Sequence, residues 1–414
     1  MNILVTGANG YLGRGIARKL LEQGHTVIAA DRTRAGLPGG AIYAPGDLFT
    51  VANPYLYYRS PDCCLYLASQ DGFRHQSGSH IENLPHHWQC IQNMLEEGLP
   101  HIAVMGSVHE IGPHEGMVHP DTPMAPVTPY GIAKETLYRL TRAEAERLDR
   151  AFQWLRAYYV VPVTGREKEA YLEALREIEA GRETEVGPAE AITQAADTAE
   201  AAYTGTQGVG RKERKEPGVM EMETADEKEK AQAKDTGRRR RAPGTMESPM
   251  EPIGEDSNGT GKTRRRAAAL VRGTLQRTAR RPAARPSGGI FAGIDAAVKR
   301  GDRSIAICGE ERAADFVDYE SFCEMAAAAV TQERVTGIID LASGEPTRIV
   351  DAARAYIAAK HYPITLRIGA YPDRPQDPRS TCGDPEKIRE IQKIQKIHEI
   401  LQAQRKTQTL RTAT

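Results

Sequence analysis

The strongest constraint on the fold lies at the start of the chain. Ile3 to Thr6 is an apolar run that reads as a strand, and TGANGYLG follows directly, so Gly7, Gly10 and Gly13 form a turn that opens a helix. That helix carries Ile16, Ala17, Leu20 and Leu21 on one face. Glycine is required in such a turn because the chain doubles back tightly and a pyrophosphate has to approach backbone N–H groups at the positive end of the helix. A second strand, HTVIAAD, ends in Asp31, 18 residues past Gly13. A carboxylate there can bond an adenosine ribose and repel a 2′-phosphate, which favours NAD over NADP, while Arg32 beside it pulls the other way. A glycine triplet alone is weak; strand, helix and acid together carry the dinucleotide reading.

The alternation continues. CCLYLAS, HIAVMGS and FQWLRAYYVV are short apolar runs without internal proline, separated by helix-like stretches. This is the pattern of a buried parallel sheet with right-handed crossovers, a Rossmann-type doubly wound α/β fold. Composition then breaks sharply. Residues 166–286 contain no His, Cys, Phe or Trp and only two tyrosines, Tyr171 and Tyr203. Their first half is rich in Glu, Ala and Lys, their second in Arg, and such a stretch buries too little apolar surface to offset its ordering entropy. The expected map is a NAD-binding Rossmann domain at 1–165, a largely disordered charged insert at 166–286 with one helix near Glu167 to Ala180, a small α/β substrate lobe at 287–390, and a C-terminal helix and tail at 391–414. After the insert, IFAGIDAAVKRG, YESFCEMAAAAVTQ and TRIVDAARAYIAAK read as helices, and SIAICG and GIIDLAS as strands of that lobe. Ile391, Ile394, Ile397 and Leu401 mark one face of the terminal helix.

Charge excludes more than it selects. With 55 Lys+Arg against 55 Asp+Glu, nothing global points to nucleic acid or acidic membranes. No run approaches the ~20 apolar residues of a membrane span, and the first residues lack the layout of a signal peptide. Six cysteines form neither a disulfide framework nor a CxxC metal pair, so a reduced, cytoplasmic protein without metal is expected. Between Thr260 and Pro286 stand nine cations and no acid. Without aromatics to stack bases this run reads as a solvated segment, and a nucleic-acid role is not expected. NGTGKT at Asn258 to Thr263 is half a phosphate loop, but Asp256 stands where the first glycine belongs and no strand precedes it.

The catalytic candidates come from spacing. Tyr130 and Lys134 in PYGIAK are four apart, hence on one face of a helix, where an ammonium can stabilise a phenolate. A tyrosine is a poor base at neutral pH unless a cation, here Lys134 plus an oxidised nicotinamide, lowers its pKa from near 10. The strand HIAVMGS ends in Ser107, which could hydrogen-bond the reacting hydroxyl or carbonyl. His109 is a further proton-donor candidate, although a lone histidine at a strand end is more often structural.

In this combination the sequence resembles the extended short-chain dehydrogenase/reductase family, in its NAD-dependent epimerase/dehydratase branch, over residues 1–165 and about 287–390. TGANGYLG, with Tyr11 and Leu12 inside it, is similar to the family's glycine turn, GDL with Asp47 and Leu48 to its adenine-side acid, and YLAS with Leu67 and Ala68 to its cofactor-lining strand. GSVHEIG matches the serine strand and YGIAK the YxxxK helix. DFVDY, LASGEP and YPDRPQD resemble a lobe that commonly grips a nucleotide sugar, which implies Arg374 as a phosphate contact. The resemblance implies an epimerase or oxidoreductase acting on a nucleotide-sugar hydroxyl with NAD, Tyr130 as acid/base, and an open question of homodimer assembly. Two positions depart. Ala314 replaces the arginine often found before DFV, leaving Arg312 as a substitute, and Val108 and His109 replace the Asp-Glu pair of the dehydratases, which disfavours dehydration. A non-catalytic NAD-binding regulator or scaffold is the competing reading.

Overall fold

The structure, a computed structural model, describes residues 1–185, 289–372 and 377–397. The elements run β1 (Asn2–Thr6), α1 (Tyr11–Glu22), β2 (Thr26–Asp31), β3 (Ile42–Pro45), α2 (Pro54–Tyr57), β4 (Cys63–Tyr66), α3 (Ser79–Glu96) and β5 (His101–Ser107). After a short 3-10 turn (Val108–Glu110) come β6 (Gly116–Val118), α4 (Pro129–Arg147), β7 (Ala151–Ala157), β8 (Tyr159–Val161) and α5 (Arg166–Glu185). The chain resumes with α6 (Gly289–Lys299), β9 (Ser304–Ala306), β10 (Ala313–Asp318), α7 (Tyr319–Val330), β11 (Gly337–Leu341) and β12 (Pro346–Arg348). It then forms α8 (Ile349–Ala359), β13 (Thr365–Arg367), β14 (Ser380–Gly383) and a helix over 386–397.

Seven strands make one sheet in the order β11-β7-β5-β4-β1-β2-β3, and every neighbouring pair is parallel. This is the expected doubly wound α/β arrangement. Strand order reverses between β1 and β4, so the crevice outside their carboxyl ends is the place where such sheets take ligands. Apolar side chains fill both faces. Ile3, Val5, Ile16 and Leu20 pack with α7 residues Phe322 and Ala326 on one side, and Leu4, Ile91, Met94 and Trp154 on the other.

A second sheet, β12-β10-β14-β6 with β8 pairing the later residues Phe316 to Asp318 of β10, supports the other lobe. The pair β9–β13 lies apart. The lobe's core gathers Tyr171, Phe291, Ile294, Val350 and Tyr356 from α5, α6 and α8.

Three sequence expectations change here. First, the helix expected near Glu167 to Ala180 runs over Arg166–Glu185 and belongs to the lobe and not to the insert: α5 packs on α8, with Tyr171 buried to 3% exposure. Ala170, Tyr171, Ala174, Leu175 and Ile178 recur at helical spacing and form the face that joins the lobe's core. Second, GIIDLAS does not join the second lobe. As β11 it closes the first sheet beside β7, with Ile338 opposite Trp154 and Ile339 opposite Leu155. Third, α7 likewise covers the first sheet, because it packs on α1. The rest of the expected insert, including NGTGKT and the arginine run, lies outside the described residues, as do Leu401 and the tail.

Candidate active site

The glycine turn has the geometry its sequence demands. Gly7 is in the left-handed region at φ 66°, and a Cβ on it would stand 3.1 Å from the backbone of Ala68. A Cβ on Gly13 would lie 2.4 Å from the Gly7 carbonyl oxygen, so only glycine lets α1 start this close to β1. The turn and the end of β4 are tied together by Thr6, whose Oγ1 accepts from Leu67 N at 3.1 Å and from Ala68 N at 3.2 Å. No described side chain caps α1, whose N-cap is Gly10. Its first N–H groups therefore face the crevice, and a helix N-terminus of this kind favours an anion.

Asp31 ends β2 beside this turn, its Oδ2 accepting from Asn9 N at 3.0 Å and its Oδ1 from Thr33 N at 3.2 Å. Those bonds fix the carboxylate at the rim of the crevice. Arg32 is exposed next to it. Asp47 follows β3, its Oδ1 accepting from Phe49 N at 3.1 Å, while Leu48 packs into the core. Tyr11 is exposed and its ring meets that of Tyr319 at 4.7 Å; Leu12 packs against the core.

Ser107, Tyr130 and Lys134 come together at the carboxyl end of β5. Thr128 caps α4 by accepting from Gly131 N at 3.1 Å, and Pro129 supplies a fixed φ at the helix start. A Cβ on Gly131 would lie 2.3 Å from the His109 carbonyl oxygen, so this glycine brings the helix start against the turn after Ser107. The Ser107 side chain lies close enough to Tyr130 to favour its ionised form. Lys134 sits 5.9 Å from the centre of the Tyr130 ring, and its Nζ donates to Met105 O at 2.6 Å. Burial pushes the Tyr130 phenol up to about 12, against the lowering effect of Ser107. Burial also pushes Lys134 down to about 8. Desolvation is the largest influence on the phenol, and the lowering expected from the spacing requires Lys134 together with an oxidised nicotinamide.

Tyr130 is ringed by imidazoles. His75 stacks on it at 4.9 Å and 14°, His80 meets its edge at 5.1 Å, and His109 lies 6.1 Å from it and 4.1 Å from His75. The His75 carbonyl also accepts from Tyr130 N at 3.1 Å. A cleft lined by Ala68, Ser69, His80, His87, Tyr130 and Lys134 opens between β4 and α4. Ala68 at its edge also abuts Gly7 of the glycine turn.

In the second lobe, Asp315 of DFVDY is fully buried and accepts from Ser343 N and Oγ, both at 2.8 Å, from Gly344 N at 2.9 Å and from Gly383 N at 3.2 Å. It binds LASGEP and β14 to β10. Arg312 donates to Pro378 O at 3.2 Å, and Ala314 is buried. Arg374 lies outside the described residues. Sequence reasoning missed Glu110, His75 and His80. Glu110 had a signal, since SVHE has the Ser-x-x-Glu spacing of a capping box. The two histidines had none.

A parallel sheet with a glycine turn at its switch point and a Ser, Tyr, Lys group at the end of the next strand but one defines a dinucleotide-binding α/β domain of the short-chain dehydrogenase/reductase type. Residues 3–199 match the NAD dependent epimerase/dehydratase family. Over 167 residues it is 37% identical to dTDP-6-deoxy-L-talose 4-dehydrogenase (NAD(+)) of Aggregatibacter actinomycetemcomitans, a match covering 39% of this chain and 62% of that protein. The chain therefore spans less than two thirds of that relative's length. Among solved structures, a UDP-glucose 4-epimerase superposes with a TM-score of 0.59 at 13% identity, over 94% of this chain and 91% of the other. UDP-glucuronic acid 4-epimerase from Bacillus cereus, in complex with UDP-glucuronic acid and NAD, gives 0.54 at 14% identity over 94% and 92%. At such identities these likenesses show the fold. Among the described residues no helix is long and apolar enough to cross a membrane, and no cluster of His, Cys, Asp and Glu could hold a metal.

Proposed function

We propose that this protein is an NAD-dependent enzyme that oxidises or epimerises a carbinol carbon of a nucleotide-linked sugar, with Tyr130 moving the hydroxyl proton. The convergence of Ser107, Tyr130 and Lys134 beside the glycine turn carries the reading. The residues fit the cofactor: a Cβ would fill the cradle at Gly7 and Gly13, α1 opens uncapped at Gly10, and Asp31 is fixed at the rim. Backbone from Gly7 to Gly13, including Tyr11 and Leu12, would hold the pyrophosphate, Asp31 a ribose, Asp47 and Leu48 the adenine side, and Leu67, Ala68 and Lys134 the nicotinamide half. NAD, when bound, supplies the hydride acceptor.

Ser107 orients the substrate hydroxyl, and Tyr130 takes its proton as the carbon is oxidised. Lys134, as an ammonium, favours the phenolate that burial alone disfavours. The dehydrogenase relative supports an oxidoreductase outcome, and the epimerase folds support return of the hydride to the opposite face. Arg374 is the proposed contact to the sugar-linked phosphates. Calorimetry should show NAD bound in preference to NADP; equal affinity, or none, sinks the cofactor assignment. Tyr130→Phe should lower turnover by several orders of magnitude with NAD affinity little changed, and persistent turnover would refute the role of Tyr130. Steady NADH accumulation over turnovers separates the oxidoreductase from the epimerase.

A further inference from the structure

Behind the carboxyl end of β5 runs a buried ionic chain that the chemistry above does not use. Glu110 is fully buried, its Oε2 accepting from Ser107 N at 3.2 Å. The same carboxylate accepts from Trp154 Nε1 at 2.8 and 2.9 Å and from Arg156 Nε at 2.8 Å. Arg156, also fully buried, continues to Asp340 Oδ1 at 3.1 Å, and that oxygen accepts as well from Tyr158 at 3.0 Å. A Cβ on Gly106 would stand 2.1 Å from Trp154 Nε1, so glycine before Ser107 is what lets the indole reach the carboxylate.

Holding the two strands together does not explain these charges. β5 and β7 already pair in register from His101 opposite Ala151 to Ser107 opposite Ala157. A buried ion pair is often no more stable than an apolar replacement of the same volume, and burial pushes the Glu110 carboxyl up despite Arg156. What the carboxylate adds is a fixed conformation at Ser107. It holds the serine N–H while the serine Oγ accepts from His109 N at 3.3 Å, a reciprocal capping box on the turn that follows β5.

We propose that Glu110 is a positioning residue that sets the Ser107 hydroxyl against Tyr130 through this capped turn. The inference rests on the roles proposed above for Ser107 and Tyr130. Three donor groups converge on Glu110, from Ser107, Trp154 and Arg156. A glutamine there has one acceptor oxygen and turns an NH2 group toward a donor, so the turn is released while the volume is kept.

The test is a double-mutant cycle in the full chain, with NAD and with UDP-glucose and a dTDP-6-deoxyhexose as sugar probes. Glu110→Gln should lower kcat by about 10- to 100-fold with KM for NAD little changed, since a displacement of about 1 Å at a reacting group has such an effect. In a Ser107→Ala background the same substitution should add less than about threefold, because the group it positions is gone. Equal losses in both backgrounds, or no loss in either, would overturn the proposal. Trp154→Phe keeps the ion pair and removes the indole donor; it should show the same pattern at smaller size, and serves where the glutamine variant does not fold. Tyr130→Phe run alongside separates the two readings. Turnover retained there overturns the proposed reaction and this role with it, whereas turnover lost there with additive losses at Glu110 overturns this role alone.

Discussion

Two residues four apart on α4 are driven by one burial toward opposite proton counts. Tyr130 is held as a neutral phenol with its pKa pushed up to about 12, and Lys134 is pushed toward the neutral amine at about 8. Lys134 is the member that titrates within reach of ordinary assays, and the proposed chemistry needs it charged. Its ammonium is present below about 8 and lost as pH rises through that value. We therefore expect kcat/KM, which reports the free enzyme, to fall above pH about 8. Lys134→Arg keeps a cation at every working pH and should move that fall beyond pH about 10, at a lower plateau rate. A pH–rate profile of both proteins checks this; a limb unmoved in the arginine variant would assign it to another group. The Glu110 charge raises Lys134 and so widens the range in which the ammonium survives.

Among the elements, α1 and α7 show how closely a helix far along the chain is fitted to one at its start. A Cβ on Gly15 would lie 2.4 Å from Cys323 Sγ and 2.5 Å from the Tyr319 hydroxyl oxygen, and that hydroxyl donates to Tyr11 O at 2.5 Å. Gly15→Val should destabilise the protein by about 1–3 kcal/mol, since overpacking moves the helices apart. Urea unfolding measures it, and an unchanged midpoint would mean that the contact yields freely. Nothing near Gly15 in the sequence announces this partner. Most of the first sheet was legible because β1, β2, β4, β5 and β7 are short apolar runs separated by helix-like stretches, and the glycine turn because Gly7, Gly10 and Gly13 tolerate so few alternatives. The Tyr130 and Lys134 pair was legible from its spacing. β11 was not, because GIIDLAS is an apolar run that would suit either sheet, and only pairing with Trp154 and Leu155 assigns it. The burial of Asp315 and Arg156 follows from partners at Ser343 and Asp340, nearly thirty and nearly two hundred positions away, which local pattern does not encode.

On the scale of the molecule, neither half of the chain contains a complete sheet. The first sheet takes β11 from after residue 289, and the second takes β6 and β8 from before residue 185. β10 of the second sheet lies against β8, with Phe316 opposite Tyr159, and β14 lies against β6, with Cys382 opposite Met117. Each half alone would leave open strand edges and the apolar faces of Phe322, Ala326 and Tyr171 without cover. No residue between Glu185 and Gly289 takes part in the pairings just named. We therefore expect residues 1–185 and 289–414, produced as separate chains, to be poorly folded alone and to assemble on mixing into a heterodimer that binds NAD. Circular dichroism of each fragment, gel filtration of the mixture and calorimetry with NAD check this. The decisive contrary result is a fragment 1–185 that unfolds cooperatively and binds NAD as tightly as the whole chain, because β11 and α7 would then be dispensable to the sheet they complete.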